Sequence, residues 1–199
     1  MDANKHQIVA GKYDVREKTK DLVSYFTSLK QLGLNPKSVT IDGKPGVMDA
    51  FLAVWPKIVI QRCLVHIQRQ GLMWCRLKPK RTDGKHLRQI FLSVTQITTR
   101  QKAEKFLLSF QAWERRYGKM LTPAYASGWV ISDLVRARSM LLHALPDMFH
   151  FLIHPQIPST TNGLEGYFSR LKEKYQKHRG LSKNRRAQYF QWYINLVKH

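Results

Sequence analysis

Asp42 closes the run Ser38-Val39-Thr40-Ile41 and is followed by Gly43, so a carboxylate leaves the end of an apolar strand while the glycine turns the backbone aside. At the C-terminal edge of a sheet, such a side chain enters the crevice where α/β folds bind ligands. Asp before Gly is also an ordinary turn pair, and both readings stand on these residues alone. Glu165 is the second acid of interest. It falls in the first turn of a helix expected after Ser159-Thr160-Thr161-Asn162, between Gly163 and Gly166, which leave room for a close approach. Its competing role is that of an acid at the positive end of a helix. Carboxylates are hard oxygen donors that select magnesium or manganese. Two-ion catalysis needs several such oxygens at one point, so Asp42 and Glu165 form a short set. They are separated by 123 positions, and the chain between them must loop out for them to meet.

Cys63-Leu64-Val65-His66 can bring a thiol and an imidazole together, but a structural zinc site takes four ligands and no second pair stands at suitable spacing. An orienting role at the end of a strand fits the pair better. His150 and His154 are spaced for one helix face without the glutamate of an H-E-x-x-H site, and read as ordinary helix histidines. There is no phosphate-cradling Gly-rich loop, no G-x-S-x-G elbow and no paired C-x-x-C, so the usual anchors of nucleotide hydrolysis and serine hydrolysis are missing.

The elements that must position these residues alternate at first. Ile8 to Tyr13 reads as a short strand after the turn Asp2-Ala3-Asn4, and Asp14 with Glu17 forms a capping pair. Leu22, Phe26, Leu29 and Leu32 give a helix that stops at Gly33. A strand over Ser38 to Asp42, a helix opened by Pro45 and carried by Val47, Phe51, Val54 and Trp55, and a strand over Ile58 to Arg62 follow. Short connections between them imply parallel pairing in an α/β layer. Beyond Cys63 the strand pattern ends. Leu64 to Leu77, Lys102 to Arg116 and Val130 to Leu145 all carry helical spacing, with Ala103, Phe106, Phe110 and Trp113 on one face. Leu164, Phe168, Leu171 and Tyr175 then share a face, and a last aromatic helix runs from Lys183 to Val197. Three segments result: 1–62 with strands and two helices, a mostly helical insertion at 63–158, and 159–199.

The balance of 34 Lys and Arg against 13 Asp and Glu leaves a formal charge of +21 in 199 residues. A polyanion that sheds counterions on binding is the partner best suited to offset that repulsion, and nucleic acid leads. The excess is concentrated. Lys57 to Lys105 holds 12 cations and 2 acids, and Tyr167 to His199 holds 9 and 1. Arg62, Arg170, Lys172, Lys174, Lys177, Arg179, Lys183, Arg185 and Arg186 are the expected contacts. In the last segment they alternate with Tyr175, Tyr189, Phe190, Trp192 and Tyr193, rings that stack on unpaired bases or fill a core. A hydrophobic fraction of 43% excludes global disorder. Two cysteines build no disulfide framework, and a reducing, cytoplasmic setting is expected, nucleoid-associated in a prokaryote. The most apolar stretch, Met140 to Ile153, is broken by His143, Pro146, Asp147 and His150 and is too short and polar to span a bilayer.

Taken in order, these blocks resemble the C-terminal part of the catalytic domain of Mutator-like insertion-sequence transposases. Asp2-Ala3-Asn4 through Ala10 looks like the second and third strands of their ribonuclease-H-like core. Ile41-Asp42-Gly43 looks like the second catalytic aspartate, and Gln61-Arg62-Cys63-Leu64-Val65-His66 is similar to their C-x-x-H signature. Thr161-Asn162-Gly163-Leu164-Glu165-Gly166 resembles the block bearing the catalytic glutamate. The resemblance implies an α/β, ribonuclease-H-like core lacking its first strand, with a large helical insertion and DDE chemistry: water attack at DNA ends, then 3′-hydroxyl strand transfer. It implies Asp42 and Glu165 as ligands of Mg2+ or Mn2+, with Cys63, His66 and Asn162 near the site, and as partners the element's DNA ends and target, with self-association or a full-length transposase. The family's first aspartate is expected roughly 15–20 residues before Met1. Asp2 lies in a turn and substitutes poorly for it. Glu173 is an alternative to Glu165 that lacks the Thr-Asn-Gly block. With two of three carboxylates, a DNA- or transposase-binding regulator is the rival expectation, and a structured RNA-binding protein a weaker third.

Overall fold

The computed structural model describes every residue except 6, 12–17, 122–127, 179 and 197–199. It is mostly helical with one two-stranded parallel sheet, and its chain divides into two compact units, 1–60 with 156–199, and 61–155.

In the first unit, helix α1 (Thr19–Gln31) ends where Gly33 adopts φ +91°, a conformation glycine enters without steric cost. Strand β1 (Ser38–Ile41) follows, then helix α2 (Pro45–Val54), with proline at its first position where no amide hydrogen is needed. Strand β2 (Val59–Arg62) pairs with β1, beginning with the Val59 amide, which donates to the Lys37 carbonyl at 3.1 Å. Ile41, Val54, Trp55, Ile58 and Ile60 form the core between sheet and helices. Phe26 of α1 stacks on Phe51 of α2 with centroids 4.3 Å apart. Lys30 donates to the Val54 carbonyl at 2.7 Å, placing a cation on an orphan acceptor at the C-terminal end of α2.

Two expectations fail here. The described part of the Ile8 to Tyr13 stretch, residues 8–11, forms no strand; among the described residues nearby, the pairing is an isolated bridge between Asp2 and Gln7. Ile8 packs instead against the cluster of Tyr167, Leu171 and Tyr193, and the backbone of Gly11 lies against Ile194, so apolar contact rather than a ladder holds this segment. The proposed capping pair Asp14 and Glu17, and Tyr13, lie outside the described residues. The second failure concerns the helix after Thr161. In α8 (Asn162–Gln176) the buried residues are Tyr167 and Leu171, while Phe168 is 43% exposed. Adjacent rings at 167 and 168 allow two apolar stripes, and the partner decides: Tyr167 meets Tyr193 of α9 (Lys183–Leu196) edge to face at 5.7 Å.

The second unit is a helical bundle of α3 (Leu64–Cys75), α4 (Thr82–Ser93), α5 (Arg100–Tyr117), α6 (Trp129–Ala144) and the single turn α7 (His150–Ile153). Ala103, Phe106, Phe110 and Trp113 are all buried, as their spacing requires. Helix α4 was not foreseen. Gln61 is fully buried, and its amide is satisfied: Nε2 donates to the Arg62 and Met148 carbonyls at 2.8 Å, and Oε1 accepts from the Phe151 amide at 3.2 Å. Asp83 is buried too and accepts from Arg81 and from the Gly84 amide, while its carbonyl takes the Trp113 indole N–H at 2.9 Å. Glu114 and Arg138 tie α5 to α6 through a forked ion pair.

Cys75 closes α3 as a buried thiol, and burial pushes its pKa from 9.0 up to about 12. The unfolded thiol ionises near 9, so its neutral form favours the fold fully below that value and the contribution disappears as pH climbs toward 12. Comparing the chain with Cys75→Ala by the urea transition of the second unit at pH 8 and pH 10, we expect the native chain to lose about 1 kcal/mol more than the variant. Equal pH dependence in the two proteins refutes the assignment.

Candidate functional site

Asp42 follows the last residue of β1, and Gly43 behind it takes φ +87°, which frees the carboxylate from the path of the backbone. The side chain is exposed, and one oxygen accepts the Lys44 amide at 3.2 Å. This is the contact of the turn reading, made at the edge the ligand reading requires. Glu165 lies in the first turn of α8, half-buried, and accepts the Thr161 hydroxyl at 3.0 Å. Thr161, at the N-cap position, thus spends its hydroxyl on the carboxylate rather than on a backbone amide.

One hydrogen bond connects the two surroundings. The Thr40 hydroxyl, two residues before Asp42, donates to the Pro158 carbonyl, seven residues before Glu165, at 2.7 Å. It fastens β1 to the segment leading into α8, across 118 positions of sequence. Neither Thr40 nor Pro158 stands in a motif, so composition and spacing did not reveal them; Thr161 sits inside the block that contains Glu165. Of the two glycines flanking Glu165, Gly163 has its open side taken by the Met1 methyl, which would lie 3.0 Å from an added Cβ, and Gly166 lies beside the Arg170 guanidinium. Asn162 is exposed. Asp2 uses its carboxylate on the Asn4 and Lys5 amides at 2.9 and 3.1 Å, and those bonds hold its pKa below the usual value. Among the described residues no group of three or more His, Cys, Asp or Glu is arranged to hold a metal ion.

Cys63 and His66 belong to the second unit. Cys63, fully buried, occupies the N-cap position of α3, and the His66 Nδ1 lies 3.2 Å from its Sγ, a contact that a three-residue offset at a helix start permits. His150 reaches Asp147 at 3.5 Å, and His154 is exposed at the end of α7.

The cations sort by exposure. Arg62 is only 6% exposed and is not part of the surface field. Arg170, Lys172, Lys174 and Lys177 are exposed on and just beyond α8, as are Lys183 and Arg185 on α9. Arg186 is half-buried, its guanidinium 5.6 Å above the Tyr175 ring. Arg179 lies outside the described residues.

Residues 2–187 match the profile of a family described as Transposase, Mutator family. The chain belongs to the Mutator family of transposases. The matched range of this Mutator-family chain takes in Asp42, Cys63, His66 and Glu165. It is 30% identical over 136 residues to the transposase for insertion sequence element ISRM3 of Rhizobium meliloti (strain 1021), covering 66% of this chain and 29% of that protein. A probable transposase for an ISRM3-like element of Sinorhizobium fredii (strain NBRC 101917 / NGR234) is 29% identical over the same length and shares. A probable insertion-sequence transposase of Corynebacterium diphtheriae is 29% identical over 68 residues, 34% of this chain and 20% of that one. The match therefore spans less than a third of the length of these curated relatives. No solved structure matches the chain. Among the described residues no helix is long and apolar enough to cross a membrane.

Proposed function

We propose that this chain is part of a DDE-type transposase with a ribonuclease-H-like core, in which Asp42 and Glu165 are metal-binding carboxylates acting on DNA. The observation that carries this reading is the Thr40 to Pro158 hydrogen bond, which draws the end of β1 and the approach to α8 together within one unit. The donors suit magnesium or manganese in kind, since carboxylate oxygens are hard ligands. They fall short in number, and in this reading the third carboxylate comes from a part of the transposase beyond this sequence. When bound, the ion would activate the attacking oxygen and stabilise the leaving one at a phosphodiester. The chain's own share is to hold Asp42 on a fixed strand edge, to orient Glu165 through the Thr161 hydroxyl, and to attract the phosphate backbone with its excess charge. Asp42→Ala and Glu165→Ala in a DNA-nicking assay test it.

The short donor set and the charge of +21 favour a second reading of this chain alone, as a regulator that binds DNA or a longer transposase without cutting. Both readings require DNA binding through phosphates. Duplex affinity, followed by fluorescence anisotropy, is expected to fall by about 10³-fold or more between 50 and 200 mM salt if some six phosphates are neutralised, and to survive a chelator. Binding that ignores salt, or that vanishes with EDTA, counts against both.

A further inference from the structure

Aromatic rings join α8 to α9. Tyr167 meets Tyr193, and Tyr175 meets Phe190 at 5.0 Å, on the buried side. Beside these rings lies an open groove of about 720 Å³. Its lining includes Lys174, Lys177, His178, Arg185, Tyr189 and Trp192, with no acidic residue, and Glu173 is the last acid in the sequence. Trp192 is 55% exposed, which is costly for an indole unless something covers it. It stands 6.3 Å from Tyr189, whose ring lies 5.1 Å from His178, so three flat groups follow one another along the groove. Lys174 is held 5.3 Å from the Tyr193 centroid, a cation fixed over a ring at the groove's floor.

We propose that this groove receives an unpaired base of single-stranded DNA, stacked on Trp192, with Lys174, Lys177 and Arg185 on the flanking phosphates. Cations alone would suit any polyanion, a duplex included. A duplex keeps its base faces against one another, whereas exposed rings between cations offer a surface only to a base out of its stack. An acidic peptide would satisfy the charges, but a row of flat rings set between cations matches the alternation of bases and phosphates in a single strand. The inference rests on the reading of DNA as the partner and specifies which form of DNA this surface takes.

The test uses the full chain and fluorescein-labelled oligothymidine, the same strand with central abasic positions, a duplex of equal length, and oligouridine. Base stacking on an aromatic side chain carries enough energy that the abasic strand is expected to bind about tenfold more weakly than the intact one. Trp192→Ala should impose a similar loss on the intact strand, no further loss on the abasic strand, and little change on the duplex, while Trp192→Phe retains most of the affinity. Equal binding of intact and abasic strands overturns the proposal without depending on the folding of any variant. So does a Trp192→Ala loss that is the same for duplex and single strand, and tighter binding of oligouridine overturns the assignment to DNA. A chain that shows the stacking ratios but never nicks DNA keeps the groove and loses the catalytic reading. Carboxylate-dependent nicking with abasic and intact strands bound alike does the reverse.

Discussion

In a transposase that supplies the third carboxylate, replacing either Asp42 or Glu165 by alanine is expected to bring magnesium-dependent nicking of supercoiled DNA to background, with duplex affinity unchanged within about twofold. The two halves of this expectation have different physical sources. Affinity comes from many phosphate contacts made by an excess of 21 positive charges, and one carboxylate more or less changes that sum little. Cleavage depends on a few oxygens at one point. Removing a group that only orients a metal ligand costs about 10–100-fold, so removing a ligand itself should cost more. Glu173→Ala is the control, because Glu173 is exposed further along the same helix and has no counterpart to the Thr161 hydroxyl among its observed contacts. A drop with Glu173→Ala as large as with Glu165→Ala moves the assignment to the other acid. Manganese uptake followed by electron paramagnetic resonance gives a second readout, expected in the parent and lost in both single variants. A parent that neither nicks DNA nor holds manganese refutes the metal reading and leaves the regulator.

Local chemistry was legible where a single residue decides the backbone. Gly33 stops α1, Pro45 opens α2, and Gly43 turns the chain after β1, each at the position its conformational preference requires. The heptad-like spacing of α5 was equally readable, since Ala103, Phe106, Phe110 and Trp113 admit only one buried face. Helix α4 contains Asp83 and Gly84, residues whose type does not favour a helix interior. Both are buried, the glycine because an added Cβ would meet Pro79 at 3.3 Å and Leu134 at 3.6 Å, a packing constraint no local pattern expresses. The choice of Tyr167 over Phe168 as the core ring was made by α9, and the irregular course of residues 8–11 by the tyrosines beneath Ile8. For the candidate site the division is similar. Asp42, Glu165 and the residues around them were named by type and spacing. The bond that brings their surroundings together joins a threonine to a proline carbonyl, and such a contact exists only once the chain is folded. The charge of the C-terminal segment was plain as a sum, while the groove within it exists only once the residues of α8 and α9 are brought together.

Phe91→Ala is expected to destabilise the second unit by about 3–5 kcal/mol, because the ring is fully buried and its removal leaves a cavity between α3 and α4. The face of that ring lies on Gly71, where an added Cβ would come within 2.2 to 2.5 Å of Phe91 Cδ1, Cε1 and Cγ. Helix propensity by itself would reward alanine at position 71 by about 1 kcal/mol. Overlap with a ring that has no free space is the larger effect, so Gly71→Ala should cost about 1–3 kcal/mol net. The double variant discriminates between contact and coincidence. With the ring gone, the new methyl enters the space it occupied, and the combined loss should fall short of the sum of the single losses by at least about 1 kcal/mol. Because the chain has two compact units, a single global unfolding energy is the wrong measure, and hydrogen exchange of the α3 and α4 amides reports the opening that matters. Additive losses would mean that Phe91 is held by its other neighbours, and that the glycine was not selected by the ring. Coupled losses would show α3 lying with its backbone directly on Phe91, in a contact that requires the smallest residue at position 71 against its poorer helix propensity.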